Sequence, residues 1–275
     1  MVRMKNMQKI LTPPPKSNLA RETLAVLDTI GLPWALMKSG LRKSQGQRNY
    51  PVMVLPGFGT NDLSTLPLRY FLSRHGFTTM GWDEGINMGG KGLIDSPEDL
   101  SDRWDIERQT EYNGEAEVPA LCDRITAKVQ SYCQAHDTHI HLVGWSLGGY
   151  VAREVARDLP KQVISVTTMG SPVKGGPKYT SVAPLFRARK MDLDWIEREI
   201  DKRDRNPIAQ PITAIYSKRD GVVAWQAMMD EVSPNFRPVE VNVSHMGLGL
   251  NARVLNIVLD ALIKKDQIKQ DHSAS

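Results

Sequence analysis

Cysteine is scarce in this chain, with only Cys122 and Cys133 among 275 residues. Both fall in residues 118–135, where apolar spacing predicts one helix. Eleven residues of helix set them about 16 Å apart along the axis, and a disulfide needs Cα atoms within about 7 Å. Two free thiols and a reducing, cytoplasmic setting are expected. Long apolar runs are also missing: no stretch approaches the ~18 uninterrupted apolar residues of a transmembrane helix. The first ten residues are basic but lack the apolar core of a secretory signal. No Cys or carboxylate completes a tetrahedral set with His136, His139 and His141, so no metal is expected. Only five Phe are present, which argues against an extensively aromatic pocket and leaves Leu and Met to line one. Gly85-Ile86-Asn87-Met88-Gly89-Gly90-Lys91-Gly92 comes near a phosphate-binding loop but lacks the terminal Ser or Thr that would hold magnesium. It reads as a flexible loop bordering whatever site the chain carries, and no organic cofactor is expected.

What is present is ordinary in amount and uneven in placement. Hydrophobic residues make up 41% and charged residues 24%, the balance of a globular protein. Residues 1–48 carry nine Lys/Arg and two Asp/Glu, a net of +7 against +4 for the whole chain. The basic charge therefore belongs to an N-terminal arm. It is not interleaved with a stacking aromatic set, so no nucleic-acid partner is expected. A solvated tail or a peripheral contact with an anionic membrane surface fits better. Residues 19–39 place Leu24, Leu27, Ile30 and Leu36 partly at helical spacing, and Pro33 interrupts the pattern. That broken helix could pack on the body or lie on a membrane.

From residue 50 onward short apolar runs alternate with helical patterns. Strands are predicted at 51–55, 77–82, 140–145, 163–168, 212–216 and 239–243. Helices are predicted at 66–74, 115–135, 151–159 and 251–264. This alternation specifies an α/β fold with a mostly parallel sheet and helices on both faces. Residues 173–210 break the rhythm, opening on Lys174-Gly175-Gly176-Pro177 and closing on Asn206-Pro207. They read as a small inserted cap whose charges at 192–204 form a solvated face. The organisation expected is a basic arm over 1–48, an α/β domain over 49–265 with the cap at about 173–210, and a polar tail over 266–275.

The most informative stretch is Gly144-Trp145-Ser146-Leu147-Gly148, between a predicted strand and a predicted helix. A serine on so sharp a turn stands clear of the backbone at a helix N-terminus, and small neighbours let the turn close. Such a nucleophile needs a base, and the base needs an orienting carboxylate. His245 follows the last predicted strand, where a loop could carry a base back to the serine. Asp220 follows the strand before it and can fix the tautomer of His245. Two backbone N–H donors for a developing oxyanion are expected at Leu147, directly after the serine, and at Phe58 in the loop after the first strand.

These residues together resemble the α/β-hydrolase superfamily, in its bacterial triacylglycerol lipase-like or carboxylesterase-like branch. Pro56-Gly57-Phe58-Gly59, Gly144 to Gly149, Thr168 to Gly175, Asp220-Gly221-Val222-Val223 and Ser244-His245-Met246-Gly247 carry the likeness. Pro56 and Val173 stand where many lipases have histidine, so the likeness speaks for the machinery more than for a lipid substrate. The resemblance implies hydrolysis of a small-molecule or lipid ester through an acyl-enzyme on Ser146. Acyl transfer or thioester cleavage on the same residues is an alternative, as is a non-catalytic binding protein on this scaffold.

Overall fold

The computed structural model describes residues 11–41, 48–107 and 111–273. What the sequence led us to expect of residues 1–10 lies outside them. Three short helices come first, α1 (Lys16–Glu22), α2 (Ala25–Asp28) and α3 (Leu32–Gly40). Pro33 does not break the last of these. It sits in the first turn of α3, where the missing N–H would have had no helical acceptor.

The body is a six-stranded sheet. Its strands are β1 (Val52–Leu55), β2 (Thr79–Met80), β3 (Ile140–Trp145), β4 (Val163–Met169), β5 (Ile212–Ser217) and β6 (Phe236–Val241). They lie in the order β2-β1-β3-β4-β5-β6, and every pairing is parallel. Helices α4 (Asp62–Ser73), α5 (Glu117–Ala135) and α6 (Leu147–Asp158) connect the early strands. Helices α9 (His245–Leu250) and α10 (Ala252–Ser273) close the chain.

Strand alternation divides the core between the two faces. Met53, Leu55, Ile140 and Leu142 point one way, onto Leu121, Ile125 and Val129 of α5 and Val151 and Val155 of α6. Val52, Val54, Val143 and Trp145 point the other way, onto Leu68, Phe71 and Leu72 of α4 and Val254, Leu255 and Val258 of α10. Both faces are buried, so the strands read as continuous apolar runs.

Element ends differ from the sequence expectation for local reasons. β6 begins at Phe236 and includes Pro238. That is tolerable because β6 is an edge strand, with one side unpaired. α4 begins at Asp62, where the Asn61 side chain accepts from the Leu63 N–H and caps the helix. α10 continues through the expected tail to Ser273.

Between β4 and β5 lie α7 (Ala183–Ala188) and α8 (Leu193–Asp204), where a cap was expected. The charges of α8 are a solvated face only in part: Asp194, Arg198 and Asp201 are exposed, while others turn inward. Glu199 is buried, and Arg203 pairs with Glu154 at 2.8 Å and Asp158 at 2.7 Å on α6. Arg157 of α6 reaches back to Asp204 at 2.8 Å, and Arg153 pairs with Asp230 at 2.7 Å. Helical periodicity cannot say which charged residues will meet an opposite charge on another helix. Once buried, each of these ions depends on its partner. Among the described residues no helix is long and apolar enough to cross a membrane.

Candidate active site

β3 delivers the chain to Ser146, and α6 starts at the next residue. Ser146 has φ 54° and ψ −124°, a conformation that residues with a Cβ rarely adopt. Its N–H donates to the Met169 carbonyl at 2.8 Å, and its carbonyl accepts from Gly149 at 3.0 Å. The turn closes because its neighbours lack side chains. A Cβ at Gly148 would collide with the carbonyl oxygens of Leu55 and Pro56, and one at Gly144 with the carbonyl of Gly148. Leu147 is the first residue of α6, so its N–H has no intrahelical acceptor.

β1 ends against this turn, and the next residues are Pro56-Gly57-Phe58-Gly59. Among the described residues the Phe58 N–H has no hydrogen-bond partner. The loop is held from behind by Asn87, which is fully buried. Its Nδ2 donates to the Pro56 carbonyl at 2.8 Å, and its Oδ1 accepts from Gly89 at 3.1 Å. Its backbone exchanges hydrogen bonds with Thr60 and Gly59, both at 2.8 Å. The glycine-rich segment 85–92, read as a flexible loop, is thus a brace for the Phe58 loop.

His245 stands at the start of α9, next to Ser244, which caps that helix through Gly247 at 3.1 Å. Its Nδ1 lies 2.6 Å from Asp220 Oδ2. The other oxygen of Asp220 accepts from Val222 at 2.8 Å and Val223 at 2.7 Å. An ionised carboxylate only accepts, so Nδ1 carries the proton and Nε2 is left to act. Both side chains are buried. Burial works against protonating His245, but the charge and hydrogen bond of Asp220, with the Glu22 charge behind them, outweigh it and raise the pKa above 6.5. Trp145 packs its ring on His245, with centroids 5.9 Å apart, and its Nε1 donates to the His245 carbonyl at 3.2 Å.

Ser146, His245, Phe58 and Leu147 line one cavity of about 290 Å³, and Asp220 lies behind His245. Among the described residues no hydrogen bond joins Ser146 to His245; such contacts are often loose before substrate binds. The wall is largely apolar and more aromatic than five Phe suggested. Trp104, Trp145, Tyr150 and Trp195 converge there with Phe58 and Phe186. Counting Phe alone missed them, because Trp supplies much of the wall. α7 and α8 contribute Phe186 and Trp195, so the insert covers the carboxyl ends of the strands. The arrangement offers a hydroxyl, a buried imidazole–carboxylate pair and two N–H groups around an apolar chamber.

Three residues of the N-terminal helices had not been singled out. Glu22 Oε1 accepts from the N–H groups of Gly221 at 2.9 Å and His245 at 2.8 Å. Its Oε2 accepts from Met246 at 3.2 Å. Asp28 accepts from the Ser244 N–H at 2.7 Å and its hydroxyl at 2.5 Å. Asn18 donates to the carbonyls of Lys218 at 3.0 Å and Asp220 at 3.3 Å. Together they clasp the Asp220 and His245 loops. One sequence signal existed: Glu22 and Asp28 are the two acids of an otherwise basic arm.

Among the described residues no group of three or more His, Cys, Asp or Glu is placed to hold a metal ion. His136 stacks on Tyr132, His139 meets Tyr50 edge-on, and His141 is buried with Nδ1 2.8 Å from Ser165 Oγ. Cys122 and Cys133 are free, buried thiols.

No family model matches the chain, and no curated protein matches it. Solved structures do. A metagenome-derived lipolytic enzyme superposes with a TM-score of 0.55 at 15% identity, covering 80% of this chain and 96% of the other. The lipase BlEst2 of Bacillus licheniformis gives 0.53 at 12% identity, covering 80% and 95%. A monoacylglycerol lipase of Paleococcus ferrophilus gives 0.52 at 12% identity, covering 79% and 97%. The chain has the α/β-hydrolase fold that its motifs led us to expect.

Proposed function

We propose that this protein is a serine hydrolase that cleaves carboxylic esters. The observation that carries the reading is the buried His245–Asp220 pair, 2.6 Å apart, opening on the same cavity as a serine held at φ 54°. Fold likeness alone would not carry it, since one fold hosts many chemistries.

In the proposed reaction His245 Nε2 removes the proton from Ser146 as Oγ attacks the ester carbonyl. Asp220 holds the imidazole in the required tautomer and stabilises the imidazolium that forms. The tetrahedral oxyanion accepts hydrogen bonds from the Phe58 and Leu147 N–H groups, a contribution of about 3–4 kcal/mol per donor in comparable sites. His245 then protonates the departing alcohol. Water repeats the sequence on the acyl-enzyme and frees the acid. Every step uses groups of this chain. The largely apolar wall suits the acyl half of an ester, because its burial is favourable and leaves few polar groups unpaired.

Initial rates on p-nitrophenyl esters of increasing acyl length, with Ser146→Ala beside the wild type, test the proposal. Turnover that the variant lacks supports it, and the chain-length profile sizes the chamber. Equal rates for the two proteins would refute the assignment of Ser146.

A further inference from the structure

The outward face of the N-terminal helices combines two features that seldom occur together on a free protein surface. The first is exposed apolar area. Of the seventeen large hydrophobic residues exposed in the described structure, eight lie within residues 19–41. Val26 is 72% exposed, Ile30 71%, Trp34 66% and Leu41 80%. The patch does not end with the arm. Arg74, at the C-terminal cap of α4, donates to the Gly40 carbonyl at 2.8 Å, joining α3 to a helix that exposes Leu66 and Tyr70. So many exposed apolar residues on neighbouring helices mark a contact surface.

The second feature is the sign of the surrounding charge. Glu22 and Asp28 are the two acids of residues 1–48, and both turn inward onto the loops of Asp220 and His245. What faces outward is cationic. Lys16, Arg21 and Lys38 are exposed and form no ion pair among the described residues. The two acids that could neutralise the arm are already engaged by backbone N–H groups.

From this we infer that the N-terminal helices are a docking surface for an anionic lipid bilayer. The charge selects among possible occupants. A second copy meeting the patch symmetrically would bring a net +7 arm against another. Residues 1–10 would bring Arg3, Lys5 and Lys9 onto a face that is already cationic. A bilayer with acidic headgroups satisfies both features at once. Its surface attracts the cations, and Trp34, Leu24, Leu27 and Ile30 enter the boundary between headgroups and acyl chains. The apolar residues are spread over three short helices, which suits a broad flat partner better than a narrow groove. The inference is independent of the ester-cleaving reading, since it assigns no chemistry to Ser146, Asp220 or His245.

The test is co-sedimentation of the full chain with phosphatidylglycerol-containing vesicles and with pure phosphatidylcholine vesicles. Wild type should bind the anionic vesicles about tenfold more tightly, and that preference should shrink as salt shortens the screening length. Val26→Ser/Ile30→Ser/Trp34→Ser should weaken vesicle binding at least about tenfold. It should keep its circular dichroism spectrum and its rate on a soluble p-nitrophenyl ester. Lys16→Gln/Arg21→Gln/Lys38→Gln should lose the preference for anionic lipid. Ser146→Ala should bind vesicles like wild type, which separates docking from catalysis. Failure of the folded wild type to sediment with anionic vesicles would overturn the inference, as would undiminished binding by the triple-serine variant. A concentration-dependent dimer that the triple-serine variant lacks, without vesicle binding, would also overturn it and assign the patch to a second copy.

Discussion

The turn that holds Ser146 and the clasp that holds His245 solve one problem, fixing a side chain at the cavity, in opposite ways. The Ser146 turn is local. Its φ of 54° is set within a few residues, and the end of β1 and the Met169 carbonyl close on it from neighbouring strands, too tightly for any side chain at Gly148. The clasp is assembled from parts some 200 residues apart in sequence, with Glu22 and Asp28 holding backbone N–H groups of Gly221, Ser244 and His245. A local, overdetermined turn leaves no room for substitution. A clasp of side chains on backbone can be loosened one hydrogen bond at a time. Chemistry should therefore fail abruptly at the turn and by degrees at the clasp.

Ser146→Ala is the largest expected effect: kcat on a p-nitrophenyl ester should fall roughly 10⁴-fold or more, with the melting temperature unchanged or raised. Loss of activity together with loss of fold would blur the comparison, so calorimetry should accompany the rates. Asp220→Asn, next in size, should lower kcat by about 10³-fold, because an amide can hold His245 in the wrong tautomer. Gly148→Ala tests the packing of the turn itself. Its methyl group meets the Leu55 and Pro56 carbonyl oxygens, which cannot swing aside as a side chain could. A stability loss of about 1–3 kcal/mol in urea titration is expected, together with a sharp drop in rate. Wild-type stability and rate in this variant would show that the turn is looser than described.

At the clasp the effects should be graded. Glu22→Gln should lower kcat by roughly tenfold or less and leave KM near its wild-type value, because Glu22 touches the loops and not the cavity. The pH profile offers a readout that a merely structural role would not move. His245 must be neutral to act as base, and its pKa lies above 6.5 partly through the Glu22 charge. The wild-type rate should thus fall with decreasing pH through a midpoint above that of an ordinary histidine, and Glu22→Gln should shift that midpoint downward. An unmoved midpoint with a lowered kcat would make Glu22 a fold contact only.

Legibility in the sequence followed the same divide. The parallel sheet, the Ser146 turn and the elements carrying Asp220 and His245 could be read because each is written in neighbouring residues. Apolar runs gave the strands, and Gly-x-Ser-x-Gly gave the turn. The clasp could not be read, because nothing near Glu22 announces a partner in the loop of Gly221. Asn87 was hidden for a related reason: its glycine-rich surroundings read as mobility, while its buried side chain braces the Phe58 loop. The inward charges of α8 were not legible, because helical spacing reports a face but not what the face meets. Here Arg203 meets Glu154 and Asp158 on α6.

The most direct measurement is the mass of the protein after reaction with a serine-directed alkyl phosphonate, followed by peptide mapping. One adduct per chain on the peptide containing Ser146, with its formation slowed in Asp220→Asn and absent in Ser146→Ala, is the expected result. An adduct on another residue, or none at all in protein that still cleaves p-nitrophenyl esters, would contradict a nucleophilic Ser146.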